Sequence, residues 1–327
     1  MSCHLSLGGL ASAIVCLACD PRVCADQHGR GEALPERLSE TGLFADIEQQ
    51  RLAPRVFAYT PAFALWSDGA DKRRWVYVPA GKQVDISDLD AWQFPEGTKL
   101  WKEFSHDGVR LETRLLQKVG PGSTDWAAVA YVWDAAQVDA VRAPYGAINA
   151  LGTAHDVPAT GECFACHDGR ANRVLGFSAI QLARRSYDAS PGLDADASAS
   201  VLSEALPTLD LPGTPAERAA LGYLHANCSH CHNQTEAAAK AEKCLDPNQS
   251  LSFDLDFGLR SDALTEVAAT GTYRTAVGRV IERGKSADSK LVQLMAGRGA
   301  FRQMPPLGTE RVDEQGLQTM RDWISAL

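Results

Sequence analysis

The sequence predicts an α+β protein with a β-rich module over residues 43–185, a polar linker over 186–215 and an all-α module over 216–327. Three observations predict it. Aromatic and β-branched runs punctuated by Gly and Pro fill the first half, and apolar residues at helical spacing fill the end. Each half also carries one C-x-x-C-H string: Cys163-Phe164-Ala165-Cys166-His167 and Cys228-Ser229-His230-Cys231-His232. At 327 residues the chain exceeds a comfortable single core, and its 45% hydrophobic and 22% charged residues supply enough apolar material for two.

Residues 1–25 read as a signal peptide rather than as part of the fold. Residues 5–18 form an apolar run too short to span a bilayer, and Val23-Cys24-Ala25 offers a small-residue cleavage site before Asp26. No Lys or Arg precedes the run, a departure from the usual leader. Leu17-Ala18-Cys19 offers a lipoprotein-type site as the alternative. The expected location is therefore periplasmic or secreted, with a lipid anchor as the variant and no transmembrane helix in the mature chain. The leader accounts for four of the nine cysteines and the two strings for another four, leaving Cys244 as an odd thiol that reads as a buried bystander.

Four strands are expected next: Arg74-Trp75-Val76-Tyr77-Val78, the run from Lys99 to Phe104, the run from Val109 to Leu116, and Ala127 to Trp133. Ser105-His106-Asp107-Gly108 has the Asp-Gly chemistry of a tight hairpin, so the second and third strands should pair antiparallel, with His106 solvated on the turn. Between 186 and 215 the Ala, Ser, Asp, Pro and Gly content shows no periodicity. Residues 216–226 then follow a helical pattern into the second C-x-x-C-H, and residues 313–327 form another, with Leu317, Met320, Trp323 and Ile324 on one face. Asp254 and Asp256 alternate with Phe253, Leu255 and Phe257, which reads as a surface strand.

C-x-x-C-H is the spacing at which two thiols add to the vinyl groups of one haem while the next histidine becomes an axial ligand. A thioredoxin-like site would need a βαβ setting, and a four-thiolate zinc site would leave both following histidines unexplained. The strings therefore predict two covalently attached c-type haems and their iron. Cys163, Cys166, Cys228 and Cys231 are the attachment residues, and His167 and His232 the iron ligands. Net charge is −9, so nucleic acid and anionic membrane surfaces are excluded as favoured partners, and a periplasmic redox protein is the expected one.

Arg302-Gln303-Met304-Pro305-Pro306-Leu307-Gly308 is a rigid loop shortly before the final helix. With the helix leading into Cys228, this stretch resembles class I cytochrome c. The resemblance implies that Met304 is the sixth ligand of the second iron, which would make it low-spin and suited to electron transfer. Met295 and Met320 lie in helical patterns and read as core, His225 reads as a helix-face residue, and His230 lies inside the attachment loop.

In the first module, Phe94-Pro95-Glu96-Gly97-Thr98-Lys99-Leu100-Trp101-Lys102-Glu103, a hairpin ending Arg114-Leu115-Leu116-Gln117-Lys118, an aromatic strand near Trp126 and the first C-x-x-C-H occur in that order. Over residues 55–180 this resembles the cytochrome P460 and cytochrome c′-β family. The resemblance implies an antiparallel sheet carrying one five-coordinate haem with His167 proximal. It also makes Lys102 the candidate for the lysine that some members cross-link to the porphyrin; otherwise Lys102 is an ordinary strand lysine paired with a carboxylate. The segment from Trp66 to Arg74 departs from simple members. His155, in a loop eight residues before Cys163, is the candidate sixth ligand of the first iron. Tyr131, Trp101 and Trp133 are the candidates for an apolar distal pocket, and Glu103, Glu112, Arg110 and Arg114 for proton handling, with the face each uses left open. The expected function is electron transfer by a dihaem c-type cytochrome. The alternatives are an oxidoreductase acting on a small nitrogen or oxygen species at the first haem, or a sensor binding a small gaseous or nitrogenous ligand there.

Overall fold

The computed structural model describes residues 33–188, 192–234, 250–256, 264–299, 303–306 and 308–327. The expected leader, the lipoprotein site, Cys244 and Phe257 lie outside the described residues. The fold is α+β. A short ribbon, β1 (Phe44–Asp46) with β2 (Arg51–Leu52), precedes a six-stranded antiparallel meander. The meander runs β3 (Val56–Ala58), β4 (Asp71–Tyr77), β5 (Lys99–His106), β6 (Val109–Lys118), β7 (Trp126–Trp133) and β8 (Ala140–Arg142), each strand beside its sequence neighbour. All four strands expected from the sequence are present. The β5–β6 hairpin turns at Asp107 (φ 50) and Gly108 (φ 80), two consecutive left-handed residues whose twist matches antiparallel strands.

Alternation along the meander gives it two dissimilar faces. Trp75, Trp101, Leu115, Val129, Tyr131 and Trp133 point outward and are buried under the N-terminal segment by Leu34, Leu38, Leu43 and Phe44. Leu100, Leu116, Ala128 and Val76 point inward and pack beneath helix α1 (Thr160–His167), which contributes Phe164. At roughly 1.5–3 kcal/mol for each large apolar side chain removed from water, each face gains enough to fix its strand register.

The segment expected to be a linker is part of the first core. After α2 (Ala179–Leu182), α3 (Ala195–Val201) begins on an Asp194 side chain that accepts the Ala197 amide at 2.7 Å. Leu193, Ala197, Val201 and Leu202 are buried against Val84, Ile86 and Phe177, and Leu202 bridges to Val84. Its polar composition marks the solvent side of a segment that buries Leu193, Ala197, Val201, Leu202 and Leu211.

The C-terminal module is helical among the described residues: α4 (Pro215–Asn227), α5 (Gly271–Ala276), α6 (Lys290–Ala296) and α7 (Glu314–Ala326). Thr214 and Glu217 cap α4 reciprocally with Pro215 at the first turn, and Asp313 accepts the Gly316 amide at 2.9 Å to start α7. Such caps are worth about 1 kcal/mol each. Leu317, Met320, Trp323 and Ile324 form the inward stripe of α7 and meet Ala220 and Leu224 of α4. Met295 and Met320 are both buried there, as expected.

The expected surface strand around Asp254 is not present. Residues 251–256 run without strand pairing, Phe253 and Leu255 are each 2% exposed, and Asp254 is buried as well. No helix among the described residues is long and apolar enough to cross a membrane.

Candidate functional site

Both C-x-x-C-H strings meet at the seam between the modules. Cys163 and Cys166 lie one turn apart on α1, the spacing that puts two side chains on one helix face. Cys228 ends α4, and the Cys231 and His232 amides both turn back to the Cys228 carbonyl, at 3.2 and 2.9 Å. The Cys231 thiol lies against the Cys166 sulfur and pulls the Cys166 thiol well below its ordinary pKa, while its own is pushed up.

A cavity of about 1540 Å³ opens at this seam, beyond the roughly 300–1,000 Å³ of an ordinary small-molecule pocket. Its walls include Cys163, Cys166 and His167 from the first string, Ser229, His230 and Cys231 from the second, and Pro305 and Pro306 from the loop that follows Met304. Among the described residues, no group of three or more His, Cys, Asp and Glu side chains forms a metal cage.

His167 is held as an axial ligand requires. Its Nδ1 lies 2.5 Å from the Arg173 carbonyl, which fixes the tautomer with Nδ1–H donating and leaves Nε2 with its lone pair free. Arg173 presents that carbonyl from a left-handed backbone (φ 58), which costs a non-glycine residue about 1–2 kcal/mol. Burial lowers the pKa of His167 and favours the neutral imidazole that coordinates metal. The donor set and the space therefore fit one of the two prosthetic groups the strings call for, which Cys163, Cys166 and His167 would hold; of the second set, Cys231 lines the cavity, whereas Cys228 packs against the helical core and His232 and Met304 are not among the lining residues. The His232 ring stacks edge-on against Phe253 at 5.8 Å. Met304 is half-buried, and its amide donates to the Leu294 carbonyl at 3.0 Å.

Several sequence expectations need correcting. Tyr131 and Trp133 do not line the cavity; Trp101 is among its lining residues, yet all three rings pack in the outer-face core, where their polar atoms are spent on the Pro35 carbonyl, Thr41 Oγ1 and Thr113 Oγ1. Glu103 also faces outward, paired with Arg73, and Arg110 stacks on Trp133. The inner face instead presents Arg74, Lys102 and Arg114 to the cavity. Among the described residues Lys102 forms no ion pair with a carboxylate, Glu112 acting on it only from a distance; its Nζ rests 4.7 Å from the Phe104 ring centroid. Burial, followed by Arg74, Arg114 and Lys72, pushes its ammonium well below the usual lysine range. His106 is half-buried rather than solvated, its ring 6.4 Å from that of His155.

His155 lines the cavity, but its Nε2 is 2.7 Å from Glu112 Oε1. Arg114 grips the same carboxylate with Nε at 2.9 Å and Nη2 at 2.6 Å. Burial raises the pKa of Glu112, and Arg114 and His155 more than offset it, so the carboxylate is held below its ordinary range.

A second group ties the two strings together. Arg170, three residues past His167, donates to Asp254 at 2.5 and 2.8 Å and to the Ser229 hydroxyl inside the second string. Asp254 Oδ1 also lies 3.1 Å from His225 Nδ1, and Asn233 donates to the Gly169 carbonyl at 3.2 Å. Burial raises the pKa of Asp254, but Arg170 and His225 outweigh it and keep Asp254 ionised. Arg170 and Asp254 were not legible as partners in the sequence, being 84 positions apart.

Comparison with known proteins gives no matching family model, no matching curated protein and no matching solved structure.

Proposed function

We propose that this chain is a periplasmic dihaem c-type cytochrome that carries out electron transfer, with a P460-like β-rich haem module and a class I cytochrome c module. The observation that carries the reading is the pair of C-x-x-C-H strings at one cavity, with His167 Nδ1 committed to the Arg173 carbonyl and Nε2 left for a metal. When bound, each haem supplies a one-electron iron couple. The chain's own residues set the rest. Contact between the Cys166 and Cys231 thiols puts the two attachment edges side by side, and Arg170 with Asp254 holds that seam closed. Met304 is proposed as the sixth ligand on the second iron. The expected partner is a periplasmic redox protein.

A second reading is favoured by one observation. Because Glu112 occupies His155 Nε2, the nearest candidate for a sixth ligand on the first iron is withdrawn. That site is then suited to a small nitrogen or oxygen species, as an oxidoreductase centre or a gas-binding one, with the second haem as relay and Lys102 as the candidate reactive side chain.

The test is to count haem per chain, then record optical and electron paramagnetic resonance spectra with and without carbon monoxide. Two haems, one high-spin ferric signal and carbon monoxide binding to half the haem support the second reading. Two low-spin signals without carbon monoxide binding leave the electron carrier. A haem-free chain, exported and matured with the haem-attachment machinery present, overturns both.

A further inference from the structure

Three cations stand side by side across the inner face of the sheet. The register places Arg74 of β4 opposite Lys102 of β5, and Lys102 opposite Arg114 of β6. Like charges directly opposed on one face repel, and withdrawing them from water without a partner costs more. All three line the cavity.

The counter-charge at this row falls short. Glu112 is the carboxylate that reaches it, and both its oxygens are taken by Arg114 and His155. Arg74 is only 9% exposed and, among the described residues, forms no ion pair with a carboxylate; the Tyr59 phenol is the group that acts on it. Lys102 makes no hydrogen bond there and rests on the Phe104 ring. Of the other cavity carboxylates, Asp68 accepts from the Glu310 and Arg311 amides, Glu162 from the Ala159 amide, Asp156 from the Asn149 amide and Asp254 from Arg170; Asp90 and Asp256 act on Arg170, and Glu310 lies beside Asp156.

We propose that Arg74, Lys102 and Arg114 form a binding site for a small planar oxyanion or carboxylate group, held in the cavity beside the first C-x-x-C-H string. A guanidinium fork matches two coplanar oxygens, the geometry shared by nitrite, formate and a propionate arm, and the neighbouring ammonium supplies a point charge. The inference rests on the haem reading only for the identity of what lies beside the anion; the row itself belongs to the protein. It names the substrate class at that centre as an oxyanion, unless the group held is the prosthetic group's own carboxylate.

Nitrite is the probe, titrated into the full-length protein whose haem content has first been counted, and followed by calorimetry and by the optical spectrum. An exchangeable oxyanion predicts one saturable nitrite per chain, competition by formate, and binding at least tenfold weaker in Arg74→Gln but largely kept in Arg74→Lys. A resident carboxylate predicts no nitrite binding; instead, Arg74→Gln makes the first haem's midpoint potential vary with pH where the wild type is flat. Either result supports an anion-holding row. No nitrite binding together with an unchanged potential–pH profile in Arg74→Gln overturns it. Should Arg74→Gln not fold, Lys102→Gln takes its place: weaker nitrite binding or a pH-dependent midpoint potential supports the row, and the absence of both overturns it. A chain matured with the haem-attachment machinery present that carries no haem yet takes up nitrite sinks the haem reading and leaves this one standing.

Discussion

Glu112→Gln should move stability and anion affinity in opposite directions. Glu112 is fully buried and accepts three short hydrogen bonds, from Arg114 Nε, Arg114 Nη2 and His155 Nε2. Removing one member of a buried pair costs about 3–5 kcal/mol, and the 31% exposure of the Arg114 side chain reduces that to about 2–3 kcal/mol. At roughly 2–4 °C per kcal/mol for a domain of this size, Tm falls by about 5–10 °C. The same change removes the one negative charge beside the cationic row. Two residues along a strand span about 7 Å, so at an effective dielectric of about 20 the lost repulsion is about 2 kcal/mol. Side-chain relaxation should leave roughly a tenfold gain in nitrite affinity. Thermal unfolding by circular dichroism and a nitrite titration read the two arms. The folded pKa of Glu112 lies below its ordinary 4.5, so its contribution is complete above that pH and is lost as pH falls through the depressed value. The stability gap between the proteins should therefore hold down to about pH 4.5 and close only below it. If nitrite bound more weakly in the variant, or with unchanged affinity, the electrostatic account of the row would be refuted.

Three further outcomes follow from the same structure. Burial, then Arg74 and Arg114, pushes Lys72 from 10.5 down to about 8, so Lys72→Met should be more stable than wild type at pH 7 by about 1 kcal/mol after discounting for solvent screening and the lost bond to the Ala70 carbonyl. As the unfolded chain holds that proton more tightly, the gap should close between pH 8 and 10.5 in denaturant melts at each pH. Asp68→Ala strips the acceptor from the Glu310 and Arg311 amides and should cost about 2–3 kcal/mol in denaturant melts. Asp68→Asn keeps an acceptor oxygen and should stay within about 1 kcal/mol of wild type, so equal losses in both variants would refute a hydrogen-bonding role. A Cβ on Gly222 would lie 2.0 Å from Phe63 Cε1, so Gly222→Ala should lower stability by about 1–3 kcal/mol despite a helix-propensity gain of about 1 kcal/mol, and Phe63→Leu should restore part of it in chemical denaturation.

The strands and the main helices were legible because each carries its own periodicity: β5 to β7 alternate and α7 repeats its apolar stripe every turn. The two C-x-x-C-H strings were legible because their spacing is local. What failed was anything set by pairing. Alternation puts Lys102 and Trp101 on opposite faces, but only packing of the N-terminal Leu38, Leu43 and Phe44 decides that the tryptophan face is the outer one. The aromatic pocket was therefore assigned to the wrong side of a correctly drawn sheet. Arg74 was missed for the same reason, since in Lys72-Arg73-Arg74 period two separates Arg73 from its neighbours without saying which of them meets the cavity. Low apolar content misread residues 186–215, because a helix seven residues long needs only Ala197 and Val201 to bury a face.

Reading two modules joined by a linker also obscures how firmly the halves are joined. Trp66 donates its amide to Asn227 Oδ1 at 2.7 Å, and Asn227 returns a bond to the Ala64 carbonyl at 3.2 Å. Asp68 holds the loop after Met304, and Phe63 lies against α4 at Gly222. The segment from Trp66 to Arg74 thus does two jobs. Its first half clamps the C-terminal module, and its second half contributes Arg74 to the inner face of the sheet. A buried polar seam of this kind gives geometric definition rather than net stability, since each charge in it has been taken from water at a cost that its partner offsets only at good geometry. Two redox groups of the kind proposed would need that definition, because transfer between them would depend steeply on separation; Arg170 holding both Asp254 and Ser229 fixes the second string to the first within hydrogen-bond tolerance.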